Sequence, residues 1–187
     1  MNTNLLKEIE REKDIFKKHL LFSAWLSKEL KQKNILTPII VGGTALEIYT
    51  GGFYLTGDID IVSPYREEIE KLLLDTGYFK KVGKNLVSEK LGLFLEIVDE
   101  KLAGDLNKVT TIKLKKDLEI KVIGVEDLII DRLNACVHWN SYSDCEWAEI
   151  LFEEYKNNID IQYLKNRAIE EKVEEKLEEI LKNANKN

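Results

Sequence analysis

The sequence predicts an α/β (α+β) fold: a sheet-containing core preceded by a helix and followed by a helical C-terminal part. Three observations carry this. Apolar residues recur at helical spacing through residues 3–33. Residues 35–123 instead hold short β-branched or alternating apolar runs, broken by Gly, Asn and Asp. From Gly124 onward helical spacing returns, with dense charge between the apolar positions. The corresponding divisions are an N-terminal helix (1–34), an α/β core (35–123) and a C-terminal helical part (124–187).

The elements follow in order. Leu5, Leu6, Ile9, Ile15, Phe16, Leu20, Leu21, Ala24 and Trp25 form the apolar stripe of one long predicted helix. "ILTPIIV" is a short buried strand, and "GGTALEIYT" turns out of it into a short helix. "GDIDIVS" is the next strand. Ser63-Pro64 is a helix-start signal, and the helix "YREEIEKLLLDTG" stops at Gly77. Five extended stretches follow: "YFKKVG", "NLVSEK", "LGLFLEIVD", "VTTIKL" and "LEIKVIG". Three helices close the chain: "VEDLIIDRLNACVHW", "YSDCEWAEILFEEYK" and "IDIQYLKNRAIEEKVEEKLEEILKNA", with "NANKN" as a fraying tail.

Composition narrows the function classes. A net charge of −6 argues against coating long nucleic acid by bulk electrostatics. It leaves room for a local basic pocket or for a structured RNA end as acceptor. No apolar run approaches the roughly 18 residues of a membrane span, and the N-terminus has no signal layout, so a cytoplasmic protein without membrane partners is expected. Cys136 and Cys145 fit no zinc spacing and read as free thiols.

The chemistry concentrates in "VGGTALEIYTGGFYLTGDIDIV". Residues two apart on a strand face the same way, so Asp58 and Asp60 project side by side while Ile59, Ile61 and Val62 anchor the strand. Two ionised carboxylates on one face repel and resist burial. Either each has a basic partner, or a divalent cation holds both; hard oxygen ligands fit Mg²⁺ or Mn²⁺. Glu96, an acid inside the apolar run "LGLFLEIVD", has the parity to face out of the core and complete a triad of catalytic and metal-binding carboxylates. Asp99 competes for that role from the strand's end. Gly42-Gly43 lets backbone approach a ligand, and the following helix start attracts phosphate. Thr44 reads either as a helix cap or as a further phosphate ligand. Metal plus phosphate cradle points to a nucleoside triphosphate as substrate.

Gly-Gly-Thr on a strand-to-helix turn, followed after residues 45–57 by Asp-Ile-Asp-Ile, resembles the signature of the DNA polymerase β-like nucleotidyltransferase superfamily. The phrase is similar to small prokaryotic members, including abortive-infection-type toxins. The core likeness spans residues 35–98. A weaker likeness continues through "VEDLIIDRLNA" and "SDCEWAEIL", where Arg132 and Asp144 match a basic residue and a later Asp. The resemblance implies a mixed sheet with a helical C-terminal part, Mg²⁺ dependence and transfer of a nucleoside monophosphate to an acceptor. The stretch "FYLTG" before Asp58 carries no basic residue, so phosphate charge falls to Arg132, Lys113, Lys121 or backbone amides.

Three readings follow. The protein is a toxin with an antitoxin partner, nucleotidylating a tRNA end or a protein; or it modifies a small-molecule hydroxyl; or it is a non-catalytic member that binds a nucleotide or a partner. Other residues read as structural. His138 sits at a helix end, His19 is either on the surface or packed in the core, Trp139 and Trp147 join the C-terminal helices, and Glu47 is solvated. "EEKVEEKLEEILK" is an exposed face with Glu–Lys pairs.

Overall fold

A computed structural model describes residues 3–115 and 117–184. The chain divides into two compact units. The first holds the described residues up to Leu102 together with Val109–Ile123; the second holds Ala103–Lys108 and the residues from Gly124 on.

The first unit begins with helices α1 (Thr3–Arg11) and α2 (Ile15–Gln32). The single N-terminal helix expected from periodicity is therefore broken. Glu12 Oε1 accepts the backbone N–H groups of Lys13 and Asp14, and Asp14 caps α2 by accepting the Lys17 N–H. Side-chain acceptors replace the helical carbonyls there, and the chain restarts.

Next come β1 (Ile39–Ile40), α3 (Gly42–Tyr49), β2 (Ile59–Val62), α4 (Arg66–Asp75), β3 (Lys80–Val82), β4 (Asn85–Ser88), β5 (Leu93–Asp99), β6 (Thr110–Lys115) and β7 (Leu118–Val122). Helix α4 starts two residues beyond Pro64, with Ser63 Oγ accepting the Tyr65 N–H. The strands form one mixed sheet in the order β3-β4-β5-β2-β1-β7-β6. β2 runs parallel to β5 and antiparallel to β1, while β1 runs parallel to β7. The mixed α/β architecture matches the expectation.

Alternation places Ile59 and Ile61 on the covered face of the sheet, in line with Leu95 and Ile97 of β5. All four are nearly inaccessible, and each such side chain contributes roughly 1.5–3 kcal/mol by leaving water. The opposite parity leaves Asp60 and Glu96 on the other face.

The expected solvation of Glu47 is corrected. Glu47 on α3 is fully buried and its Oε2 lies 2.8 Å from His19 Nδ1 on α2. The α2–α3 packing closes over a side chain that local sequence placed on a surface.

The second unit is helical: α5 (Val125–His138), α6 (Tyr142–Tyr155), α7 (Ile161–Glu170) and α8 (Glu174–Ala184), plus a 3-10 turn at Leu106–Lys108. The expected last helix is interrupted, because Lys172 adopts φ +59° and the Val173 N–H returns to the Ala168 carbonyl. Asp127, almost wholly buried, accepts the Asp105 N–H and the Tyr163 hydroxyl, tying the 103–108 segment to α5 and α7. Beyond Ala184 the expected fraying tail lies outside the described residues.

The free-thiol reading is also corrected. Cys136 on α5 and Cys145 on α6 form a disulfide. The tight turn between the two helices brings their Cα atoms to 4.9 Å, within bridging range. Trp139, expected to pack the helices together, is instead 81% exposed, because α5 ends at His138 and the turn carries the indole outward. Trp147 is half-buried.

Candidate active site

The site forms where β1 ends, α3 begins, and β2 and β5 run side by side. Val41 leaves β1 in an extended conformation and donates its N–H to the Asp60 carbonyl at 3.0 Å. Gly42 then adopts φ +58°, a left-handed conformation suited to glycine. A Cβ there would stand 2.6 Å from Asp60 Oδ2. The Asp60 carboxylate thus occupies the space a side chain at 42 would fill. A Cβ at Gly43 would stand 2.9 Å from Thr56 Oγ1.

Thr44 is fully buried. Its hydroxyl donates to the Asp58 carbonyl at 2.8 Å and accepts the Asp60 N–H at 3.3 Å. This use differs from both expectations, since the hydroxyl neither caps α3 nor faces solvent. It locks the backbone on either side of Ile59.

Asp58, just ahead of β2, is exposed, and its Oδ1 accepts the Thr56 hydroxyl at 2.8 Å. Asp60 is half-buried and stands directly opposite Glu96 in the parallel β2–β5 register. Glu96 is half-buried and ion-paired with Lys84 Nζ at 2.5 Å. Asp60 and Glu96 therefore share one sheet face, and Asp58, in the bend ahead of β2, lines the same cleft as Glu96. Among the described residues, however, no three acidic, His or Cys side chains stand gathered as a metal cage. Asp58 is drawn to Thr56, Asp60 lies against Gly42, and Glu96 is drawn to Lys84. Asp99 is engaged at the strand's end, where its Oδ1 accepts the Lys101 and Glu100 N–H groups, which hold its carboxyl below the usual range.

A cleft of about 330 Å³ opens beside Glu96, lined by Gly57, Asp58, Asn85, Phe94, Leu95 and Glu96. Sequence reading missed Lys84 and Asn85. Alternating runs flanking "VGKN" signal the hairpin, but only the β4–β5 register shows that Asn85 faces Glu96.

Arg132 lies in the helical unit. Its Nη1 donates to Asp144 Oδ1 at 2.7 Å and its Nη2 to Asp131 Oδ2 at 2.5 Å. The Ser141 hydroxyl also donates to Asp144, at 2.5 Å. Lys113 and Lys121 stand on β6 and β7, across β1 from the carboxylates. Exposed His138 donates Nε2–H to the Glu171 carbonyl at 3.0 Å.

Carboxylate oxygens are the ligand type a hard divalent cation takes, and Asp60 and Glu96 stand side by side next to a turn whose missing Cβ makes room for Asp60, although the carboxylates are not gathered around one point. The fold is nucleotidyltransferase-like. A solved structure agrees: an antigenic nucleotidyltransferase-like protein from Paracoccidioides brasiliensis superposes with a TM-score of 0.59. The match is 17% identical and covers 88% of this chain and 92% of that one. No protein-family model matches the chain. No curated protein matches it in sequence. No helix among the described residues is long and apolar enough to cross a membrane.

Proposed function

We propose that this protein is a metal-dependent nucleotidyltransferase that moves a nucleoside monophosphate from a nucleoside triphosphate to an acceptor hydroxyl. One observation carries the reading: Asp60 stands opposite Glu96 beside a glycine turn that its carboxylate fills, and Asp58 lines the cleft next to Glu96. Asp58, Asp60 and Glu96 would hold Mg²⁺ or Mn²⁺, which supplies charge neutralisation at phosphate and at the attacking oxygen.

The chain's own residues do the rest. Backbone N–H groups at Gly42 and Gly43 bind the phosphates of the leaving group. Thr44 holds the strand under both aspartates. Glu96 accepts the proton of the acceptor hydroxyl. The acceptor oxygen bonds to the α phosphorus as the bond to the bridging oxygen breaks, and pyrophosphate leaves. Lys84 releases Glu96 during this exchange.

The acceptor is an RNA end such as that of a tRNA, a protein, or a small molecule. A toxin role with an antitoxin partner rests on the sequence resemblance alone. A second reading, non-catalytic nucleotide or partner binding, is favoured by the Lys84–Glu96 pair, which already neutralises the third carboxylate.

Pyrophosphate release tests the proposal. Each triphosphate is incubated with cell extract and with or without Mg²⁺. Release that needs both the metal and intact Asp58 is expected. Metal-dependent nucleotide binding without release by any triphosphate would move the assignment to the second reading.

A further inference from the structure

The cleft beside Glu96 contains two side chains that the transfer chemistry leaves unused. Phe94 precedes Glu96 by two residues on β5, so both project from one sheet face, roughly 7 Å apart along the strand. The Phe94 ring is 47% exposed, whereas Leu93, Leu95 and Ile97 of the same strand are at most 3% exposed. Asn85 stands opposite Glu96 on β4, and its Oδ1 is shielded from solvent without a hydrogen-bond donor. A buried carbonyl left without a donor is a costly state that a bound N–H group would relieve.

Strand order says which substrate this cleft adjoins. Across the sheet stand Asn85 on β4, Phe94 and Glu96 on β5, the two aspartates at β2, and then the glycine turn after β1. The triphosphate belongs with the turn. The cleft runs from Gly57 and Asp58 past Glu96 to Phe94 and Asn85, away from the turn, so an acceptor seated over Phe94 and Asn85 presents its hydroxyl to Glu96. At about 330 Å³ it is near the small end of ligand sites and has room for one ring-bearing unit.

We propose that this cleft is the acceptor subsite and that it takes a ribonucleoside, free or at the end of a strand. The base stacks on Phe94 and an N–H of its edge donates to Asn85 Oδ1. The ribose hydroxyl reaches Glu96, a separation from the base comparable to that between Phe94 and Glu96. A protein Ser or Thr offers no planar ring at that separation. The inference rests on the transfer reading for the role of Glu96, but binding can be measured without transfer.

The test is fluorescence anisotropy with 5′-labelled pentaribonucleotides ending in a base or in an abasic ribose, with nucleoside monophosphates as competitors. Wild type is compared with Phe94→Ala, Phe94→Trp and Asn85→Leu, each checked for folding by circular dichroism; Phe94→Leu replaces Phe94→Ala should the smaller side chain unfold the sheet. An abasic end is expected to weaken wild-type binding roughly tenfold. Phe94→Ala should erase that difference, Phe94→Trp should keep it, and Asn85→Leu should weaken only base-ended strands. Competition by monophosphates at equal strength identifies a free nucleoside as the ligand; its absence identifies a strand end. No binding by wild type, equal binding of abasic and base-ended strands, or an unchanged affinity in Phe94→Ala overturns the proposal. Label transfer to a protein or a non-nucleosidic compound at full rate in Phe94→Ala would overturn it while sparing the transfer reading. Base-dependent, Phe94-dependent binding without any transfer would retain the ribonucleoside site and remove the transfer reading.

Discussion

Gly42→Ala puts the geometry of the site under its most specific load. The substitution forces a Cβ into a residue at φ +58°, which costs about 1–2 kcal/mol in the left-handed region. The new Cβ would stand 2.6 Å from Asp60 Oδ2, where ordinary contact begins at 3.4 Å, so the carboxylate must retreat by about 0.8 Å. The strain alone lowers the melting temperature by about 2–8 °C for a chain of this size. The retreat acts on catalysis more strongly, because a misplacement of about 1 Å can cost on the order of 100-fold in rate. Thermal melting and pyrophosphate release on the same preparation read both effects. Gly57→Ala is the control: nothing lies within 4 Å of its Cβ, and melting should not change. A Gly42→Ala protein as active and as stable as wild type would refute the claim that the Asp60 carboxylate depends on this turn.

Other predictions follow from the packing and the charges. Glu47→Ala strips the buried His19 of its hydrogen-bond partner and should cost about 1–3 kcal/mol in urea unfolding; a loss under about 0.5 kcal/mol would contradict the buried contact. Thiol titration of unfolded, unreduced protein should find no free cysteine, and reduction should lower stability by about 2–3 kcal/mol for so short a loop; two reactive thiols before reduction would contradict the bridge. The N-cap carboxylates Asp14 and Asp160 are both held below their ordinary range, first by the N–H groups of Lys17 and Tyr163. Their stabilisation is therefore present above the unfolded-state carboxylate pKa and lost as pH falls through the lower folded value. Far-UV circular dichroism should accordingly show helix loss beginning in acid, and Asp160→Asn should flatten that part of the profile.

Much of the site was legible locally. The two-residue period alone put Asp58 with Asp60, and the parity of Glu96 set it apart from Leu95 and Ile97. What parity cannot supply is register. The pairing of Asp60 with Glu96, and of Glu96 with Asn85, depends on the order β4-β5-β2 over more than thirty residues of chain. The differences have the same non-local origin. Glu47 reads as solvated until His19 of α2 is laid over it. Cys136 and Cys145 read as separate thiols until the α5–α6 turn brings them together. The break at Glu12–Asp14 comes from the side-chain acceptors of those two residues, which a reading based on the apolar stripe does not register. Thr44 looked like a ligand because the sequence shows its hydroxyl but not the Asp58 carbonyl and Asp60 N–H that engage it.

The central claim is nucleotidyl transfer at the Asp58, Asp60 and Glu96 carboxylates, and label transfer tests it most directly. Protein, Mg²⁺ and each α-labelled nucleoside triphosphate are incubated with total RNA, with cell extract and with buffer alone, beside an Asp58→Ala/Asp60→Ala variant. The account predicts label on an acceptor with the intact protein and Mg²⁺, and none with the variant. Equal labelling by the variant, or no labelling by the intact protein with any triphosphate, would contradict it.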